Sequence, residues 1–207
     1  MAKNKYISDE LLAAYLEGNV SKEEMEQVLQ AVGTDAELQE VLDVALRLDA
    51  DEQPVLQIAA EGGRNLCEVR CEAYVLKERG FIIDENELLE IAKENHWIKK
   101  VGTPLQFMGN LIEHEGLKVF RKYQASIEEI EDAINKGGNV IVAVDSDKLY
   151  PERPDEEDAT NHAIVVTKVN PETVTIFDPG DDAVIDINQP LFISAWKESN
   201  YYIVYTI

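Results

Sequence analysis

Along residues 6–50 the apolar positions recur three and four apart: Leu11, Leu12, Tyr15 and Leu16, then Met25, Val28, Leu29 and Val32, then Leu38, Val41, Leu42, Ala45, Leu46 and Leu48. That spacing places each set on one helical face, so three short helices are predicted. Ser8 followed by Asp9 and Glu10 can cap the first, and Gly18-Asn19 ends it. Ser21 with Glu24 three residues later forms a capping box for the second, and Gly33-Thr34-Asp35 separates it from the third.

After a short linker over Asp49–Pro54 the pattern changes. Val55–Ala60 reads as a short strand or extended lead, and Glu61-Gly62-Gly63-Arg64 as a turn. Asn65 introduces a helix through Cys67, Cys71, Val75 and Leu76 that stops at Gly80. Glu85–Glu94 and Pro104–Glu115 are predicted helices, the second started by Gly102-Thr103-Pro104 and stopped by Gly116. Leu117–Tyr123 alternates as a strand, and Ser126–Asn135 is a helix whose Ser126 and Glu129 make a second capping box.

The remainder turns to strands. Asn139–Val144 is a continuous apolar run, the mark of a strand covered on both faces. His162–Lys168 and Thr173–Phe177 follow, joined by a turn at Asn170-Pro171-Glu172, then Ala183–Ile187, a helical turn at Pro190–Lys197 and a terminal strand at Tyr201–Ile207. Helices first and strands after them predict an α+β layered fold. The expected organisation is an acidic helical appendage over residues 1–53 and a main domain over 54–207.

Charge narrows the class of function. Forty-one acidic residues against 19 basic ones give a formal net charge of -22. Phosphate backbones and anionic lipid are held by basic patches, so neither nucleic acid nor a membrane surface is an expected partner. The start, with Lys3, Lys5, Asp9 and Glu10, has no apolar core of a secretory signal, and the expected compartment is the cytoplasm. The three histidines are scattered and the two cysteines sit four apart, so no metal or cofactor set is expected, and both thiols are read as free.

Chemistry concentrates at Cys67. A thiol attacks only as the thiolate, which a helix N-terminus or an imidazolium stabilises. Cys67 lies in the first turn of its helix; Cys71 lies one turn deeper, past the orphan amides, and is read as packed and inert. Position alone leaves Cys67 equally readable as a small core residue. His162 opens an apolar strand and Asp178 ends the next before Pro179-Gly180, each also compatible with an ordinary structural role. His96, before Trp97, and His114, between Glu113 and Glu115, read as capping or solvated groups.

Taken together these segments resemble a known family. Cys67-Glu68-Val69-Arg70-Cys71-Glu72-Ala73-Tyr74-Val75-Leu76 followed by Gly80 resembles the nucleophile helix of the bacteriocin-processing, C39-like peptidases, cysteine peptidases of papain-like fold. Gly102-Thr103-Pro104 through His114 to Gly116-Leu117, the strand Asn161-His162-Ala163-Ile164-Val165-Val166, the Asp178-Pro179 pair and the late segment Pro190–Trp196 resemble further segments of that family, in order over residues 55–207.

The resemblance implies a papain-like α+β fold and an acyl-enzyme hydrolase of peptide bonds: Cys67 as nucleophile, His162 as general base and then acid, and Asp178 as the group orienting the imidazole. It also implies a glutamine before the cysteine that stabilises the oxyanion, for which Gln57, ten residues upstream, is the candidate. Two positions depart from the family: Gln57 is farther upstream than usual, and Glu68 replaces the glycine after the nucleophile. A carboxylate at Glu68 is expected to oppose the thiolate, so a catalytically inactive, peptide-binding member of the fold is the alternative.

Asp145–Asp158 reads as a long loop with five acids from Glu152 to Asp158. It is either an acidic lip favouring basic peptides or a solvated loop. The first 53 residues, which hold 13 acids against four bases, resemble the short helical front segment of anti-sigma factors without its zinc-binding histidine and cysteines. The resemblance implies at most a small unit for a protein partner, and a regulatory role through these helices is the second alternative.

Overall fold

A computed structural model describes residues 7–16, 20–32, 38, 41–42, 66–99, 102–152 and 162–207. The chain divides into two compact units, residues 1–56 and 57–207. In the first, α1 (Asp9–Leu16) packs on α2 (Lys22–Val32). The Leu11 amide donates to Ser8 Oγ at 3.2 Å. At the start of α2, Ser21 and Glu24 exchange bonds, Ser21 N–H to Glu24 Oε2 at 2.9 Å and Glu24 N–H to Ser21 Oγ at 3.3 Å, as a capping box requires. Val28, Val32 and Leu42 are buried.

The second unit is built on one six-stranded, wholly antiparallel sheet. Its chain order is α3 (Cys67–Glu78), α4 (Glu85–Glu94), a 3-10 turn (Leu105–Phe107), α5 (Asn110–His114), β1 (Val119–Lys122), α6 (Ile127–Asn135), β2 (Asn139–Val144), α7 (Ser146–Leu149), β3 (His162–Val169), β4 (Thr173–Asp178), β5 (Ala183–Asn188), α8 (Gln189–Trp196) and β6 (Ile203–Thr206). The strands lie in the order β1-β6-β2-β3-β4-β5. The α+β fold expected from helices preceding strands is the one observed.

Strand period two divides the sheet into two apolar faces. Val140, Val142, Val144, Ile164, Val166, Val174, Ile176 and Ile203 face a core closed by Ile130 and Ala133 of α6 and by Phe192, Ala195 and Trp196 of α8. The opposite residues, Ile141, Ala143, Ala163, Val165 and Phe177, are also buried, on the side where Tyr74 of α3 stacks on Phe177 at 4.1 Å between ring centroids. This is why β2 reads as an unbroken apolar run. At full burial each such side chain contributes about 1.5–3 kcal/mol. Three buried polar groups beside the core are paired: Trp196 Nε1 donates to Tyr202 O at 2.9 Å, Ser199 Oγ to Ala143 O at 2.7 Å, and Tyr202 Oη to Leu105 O at 2.8 Å.

Two elements differ from the sequence reading. Pro104–Glu115 is not one helix: the 3-10 turn gives way at Met108-Gly109 before α5 begins. Gly109 has φ +87°, and a Cβ there would lie 2.7 Å from Val204 Cγ1 and 2.8 Å from Val119 Cγ1, so both conformation and space require glycine. The stretch read as a loop from Asp145 opens with α7, because Asp145 Oδ1 accepts the Lys148 N–H at 3.0 Å and caps it. The extended lead at 55–60, with Gln57, and residues 153–158 of the acidic stretch lie outside the described residues.

Candidate active site

Cys67 is the first residue of α3, preceded by Leu66, which supplies no side-chain cap. The first-turn amides therefore lack intrahelical acceptors, and the sulfur lies at the positive end of the helix. β3 meets it there: the Ala163 N–H points at Cys67 Sγ at 3.4 Å. His162, one residue earlier at the start of β3, lies close enough to the thiol to act on its charge. Its Nε2 lies 2.9 Å from Asp178 Oδ1, so the nitrogen left for the sulfur is Nδ1. The sequence signals for Cys67, His162 and Asp178 thus converge on one cluster, although 111 residues separate the first from the last.

Asp178 closes β4 and is held from several sides. Gly180 N–H donates to its Oδ1 at 2.7 Å, and the Tyr150 hydroxyl donates to Oδ2. Arg70, one helical turn from Cys67, donates to the carbonyl of Pro179 and so ties the Asp178-Pro179-Gly180 turn to the nucleophile helix. His162 keeps 17% of its side-chain surface exposed and Asp178 only 3%, which leaves the imidazole reachable and the carboxylate shielded.

The charges follow from these contacts. Burial pushes the Cys67 thiol up, but the hydrogen bond and charge of His162, with the amides of Ala163 and Glu68, outweigh it and leave the thiol below its ordinary value. Burial works against charge on His162 too; its bond to Asp178 and the neighbouring sulfur overcome that and raise it to about 10. Asp178, opposed by burial and favoured by His162, Tyr150 and Gly180, is lowered to about 2. All three shifts run toward the charged forms, thiolate, imidazolium and carboxylate in a row. Cys71 is fully buried and pushed well up, first by burial and then by its negative neighbours, so it stays a thiol.

Glu68 departs from its expected effect. Its carboxyl is buried, bonded to Glu72, and accepts the Gly109 N–H at 3.3 Å. Burial and then Glu72 raise it well above the ordinary carboxyl range, which weighs against an anion beside the sulfur. The backbone amide of Glu68 assists the thiolate instead.

His96 and His114 take no part in the cluster. His96 follows the end of α4 with φ +57°, and exposed His114 pairs with Glu115. Tyr150, Arg70, Glu72 and Gly109 belong to the site's surroundings and were not legible in sequence: each reaches it only through a tertiary contact. Among the described residues no helix is long and apolar enough to cross a membrane.

No family model and no curated protein matches the chain. Solved structures do. A crystal structure described as that of a C39-like peptidase from Bacillus anthracis superposes with TM-score 0.53 at 17% identity, covering 75% of this chain and 94% of that one. The peptidase domain of Streptococcus ComA, a bifunctional ABC transporter involved in a quorum-sensing pathway, superposes with TM-score 0.53 at 19% identity, covering 71% of this chain and 93% of that one. The fold is that of C39-like peptidases.

Proposed function

We propose that the chain is a thiol hydrolase that cleaves a peptide bond through an acyl-enzyme at Cys67. The observation that carries this reading is a helix-start thiol met by the Ala163 amide at 3.4 Å, next in the chain to His162, whose imidazole lies 2.9 Å from Asp178, in a fold shared with C39-like peptidases. In the first step the Cys67 thiolate attacks the scissile carbonyl carbon, forming a C–S bond and an oxyanion. The free first-turn amides at the start of α3 are the donors nearest in the chain for that oxygen. The imidazolium of His162 gives its Nδ1 proton to the amine as the C–N bond breaks, leaving a thioester. Water then attacks the thioester as His162 takes its proton. The C–S bond breaks, the acid leaves, and thiolate and imidazolium are restored. Asp178 keeps the ring oriented and its cation stabilised throughout.

Glu68 is the reason to favour an inactive, peptide-binding member of the fold, and the burial that raises its carboxyl well above the ordinary range weighs against that alternative. The test is alkylation by iodoacetamide against pH, read separately at the two cysteines by peptide mass, with hydrolysis of a peptide library in parallel. Fast labelling of Cys67 well below pH 8, lost in His162→Ala, with hydrolysis lost in Cys67→Ser, supports the reading. Equal slow labelling of both cysteines near pH 8.5 sinks it.

A further inference from the structure

Asp178 reaches His162 from the rim of a turn that is fastened to the nucleophile helix. After β4 the chain turns over Pro179, Gly180, Asp181 and Asp182 into β5; Pro179 is buried and the other three are exposed. The Pro179-Gly180 peptide group is held at both of its polar atoms. Its N–H donates to Asp178 Oδ1 at 2.7 Å, the oxygen that lies 2.9 Å from His162 Nε2, and its C=O accepts from Arg70 Nη1 of α3. Because a peptide group is planar, the two atoms turn together, and a donor fixed on the carbonyl fixes where the amide points.

The turn has a second conformation open to it. Proline followed by glycine at the two central positions suits a type II turn, in which the central peptide is rotated by about 180° from its type I orientation and the glycine takes a positive φ. Here Gly180 lies outside the left-handed region, and its N–H returns to the Asp178 side chain as an Asx-turn. Rotation would carry that amide away from Oδ1, and glycine offers little resistance to it. The Arg70 guanidinium on the carbonyl opposes the rotation. Arg70 is itself seated, with Nε 3.6 Å from Glu85 Oε2 and Nη2 4.0 Å from Asp182 Oδ1 at the far end of the same turn.

We propose that Arg70 is a positioning residue for Asp178: by holding the Pro179-Gly180 carbonyl it keeps the Gly180 amide on Oδ1, and so keeps the carboxylate in line with His162 and in register with the helix of Cys67. The proposal rests on Cys67 being the nucleophile. The effect passes through Asp178 and not through the charge of Arg70 on the sulfur, and the test is built on that difference. Besides His162 and Asp178, the titratable neighbours of the sulfur are Glu68 and Cys71 of its own helix, and these are unchanged in every variant.

The test is the pH of half-maximal iodoacetamide labelling at Cys67, with buried Cys71 as the internal report of folding. Arg70→Met keeps the aliphatic stem and removes the donor; the midpoint rises by about 0.5–1, so labelling at acidic pH slows about three- to tenfold. Arg70→Lys retains one donor for a carbonyl that takes one bond, and its midpoint stays within about 0.3 of the full chain. In an Asp178→Asn background, where the acceptor has lost its charge, the further shift caused by Arg70→Met falls to less than about half. A direct charge effect of Arg70 shifts both backgrounds equally. An unmoved midpoint in Arg70→Met, equal shifts in the two backgrounds, or a lysine variant displaced as far as the methionine one overturns the proposal. In the full chain the Gly180 amide exchanges its hydrogen at least about tenfold slower than an unprotected amide; free exchange there overturns the proposal too, and that arm stands even if Arg70→Met fails to fold. A native Cys67 that labels no faster than Cys71 refutes the nucleophile itself; fast native labelling with unmoved variants refutes only the role of Arg70.

Discussion

Replacing Asp178 separates orientation from charge at the imidazole. Gly180 N–H donates to Oδ1 at 2.7 Å, so in Asp178→Asn the amide oxygen is pinned at Oδ1, where it still accepts from His162 Nε2. The amide nitrogen then falls at Oδ2 and faces the Tyr150 hydroxyl, which turns to accept instead of donating. Ring geometry is kept and the negative charge is lost. A hydrogen bond to a charged group is worth about 1.5–3 kcal/mol and a neutral one about 0.5–1.5, so the imidazolium loses about 1–1.5 kcal/mol, close to tenfold in its proton affinity.

The assay is the alkaline limb of the peptide hydrolysis rate, set in the native chain by His162 near about 10. In Asp178→Asn this limb moves about 1 lower, and the rate at its optimum falls about tenfold. Asp178→Ala differs in kind. It leaves His162, Tyr150 and Gly180 with donors facing a hole beside a nearly inaccessible position, and it destabilises the fold by about 3–5 kcal/mol in denaturant unfolding. Equal behaviour of the two variants, or an unmoved alkaline limb in the asparagine variant, refutes the assignment of Asp178 as both orienter and counter-charge.

Other outcomes follow from the same contacts. Tyr150→Phe removes one donor from Asp178 Oδ2 and lowers the hydrolysis rate roughly 3–30-fold, read as kcat with KM little changed. Gly109→Ala meets Val204 and Val119 at under 3 Å and a left-handed φ, and lowers stability in thermal unfolding by about 2–4 kcal/mol. Because the folded Asp178 value of about 2 lies below its ordinary 3.8, its contribution is complete above about pH 4 and is lost as pH falls through about 2; acid unfolding followed by circular dichroism should show about 2 kcal/mol lost there, absent in Asp178→Asn.

Local order decided most of what could be read without coordinates. The unbroken apolar run of Asn139–Val144, the capping boxes at Ser21 and Ser126, and the stop at Gly80 are short-range signals, and each marks an element near its observed place. The α+β class follows from their order alone. Cys67 at a helix start, His162 at a strand start and Asp178 at a strand end were legible for the same reason: the chemistry of each depends first on where it sits in its own element.

Their meeting was decided by tertiary structure. The antiparallel pairing of β3 with β4 sets His162 near the Asp178 end of the next strand, and the seating of α3 on the sheet brings Cys67 to the Ala163 amide. The break at Gly109 was hidden because it is fixed by Val119 and Val204, distant in sequence. The environment of Glu68 was hidden for a related reason. A sequence assigns a carboxyl its ordinary charge, whereas burial and the neighbouring Glu72 raise Glu68 well above the ordinary carboxyl range. Residue type and spacing are properties of the chain; protonation depends on what the fold places within a few ångströms.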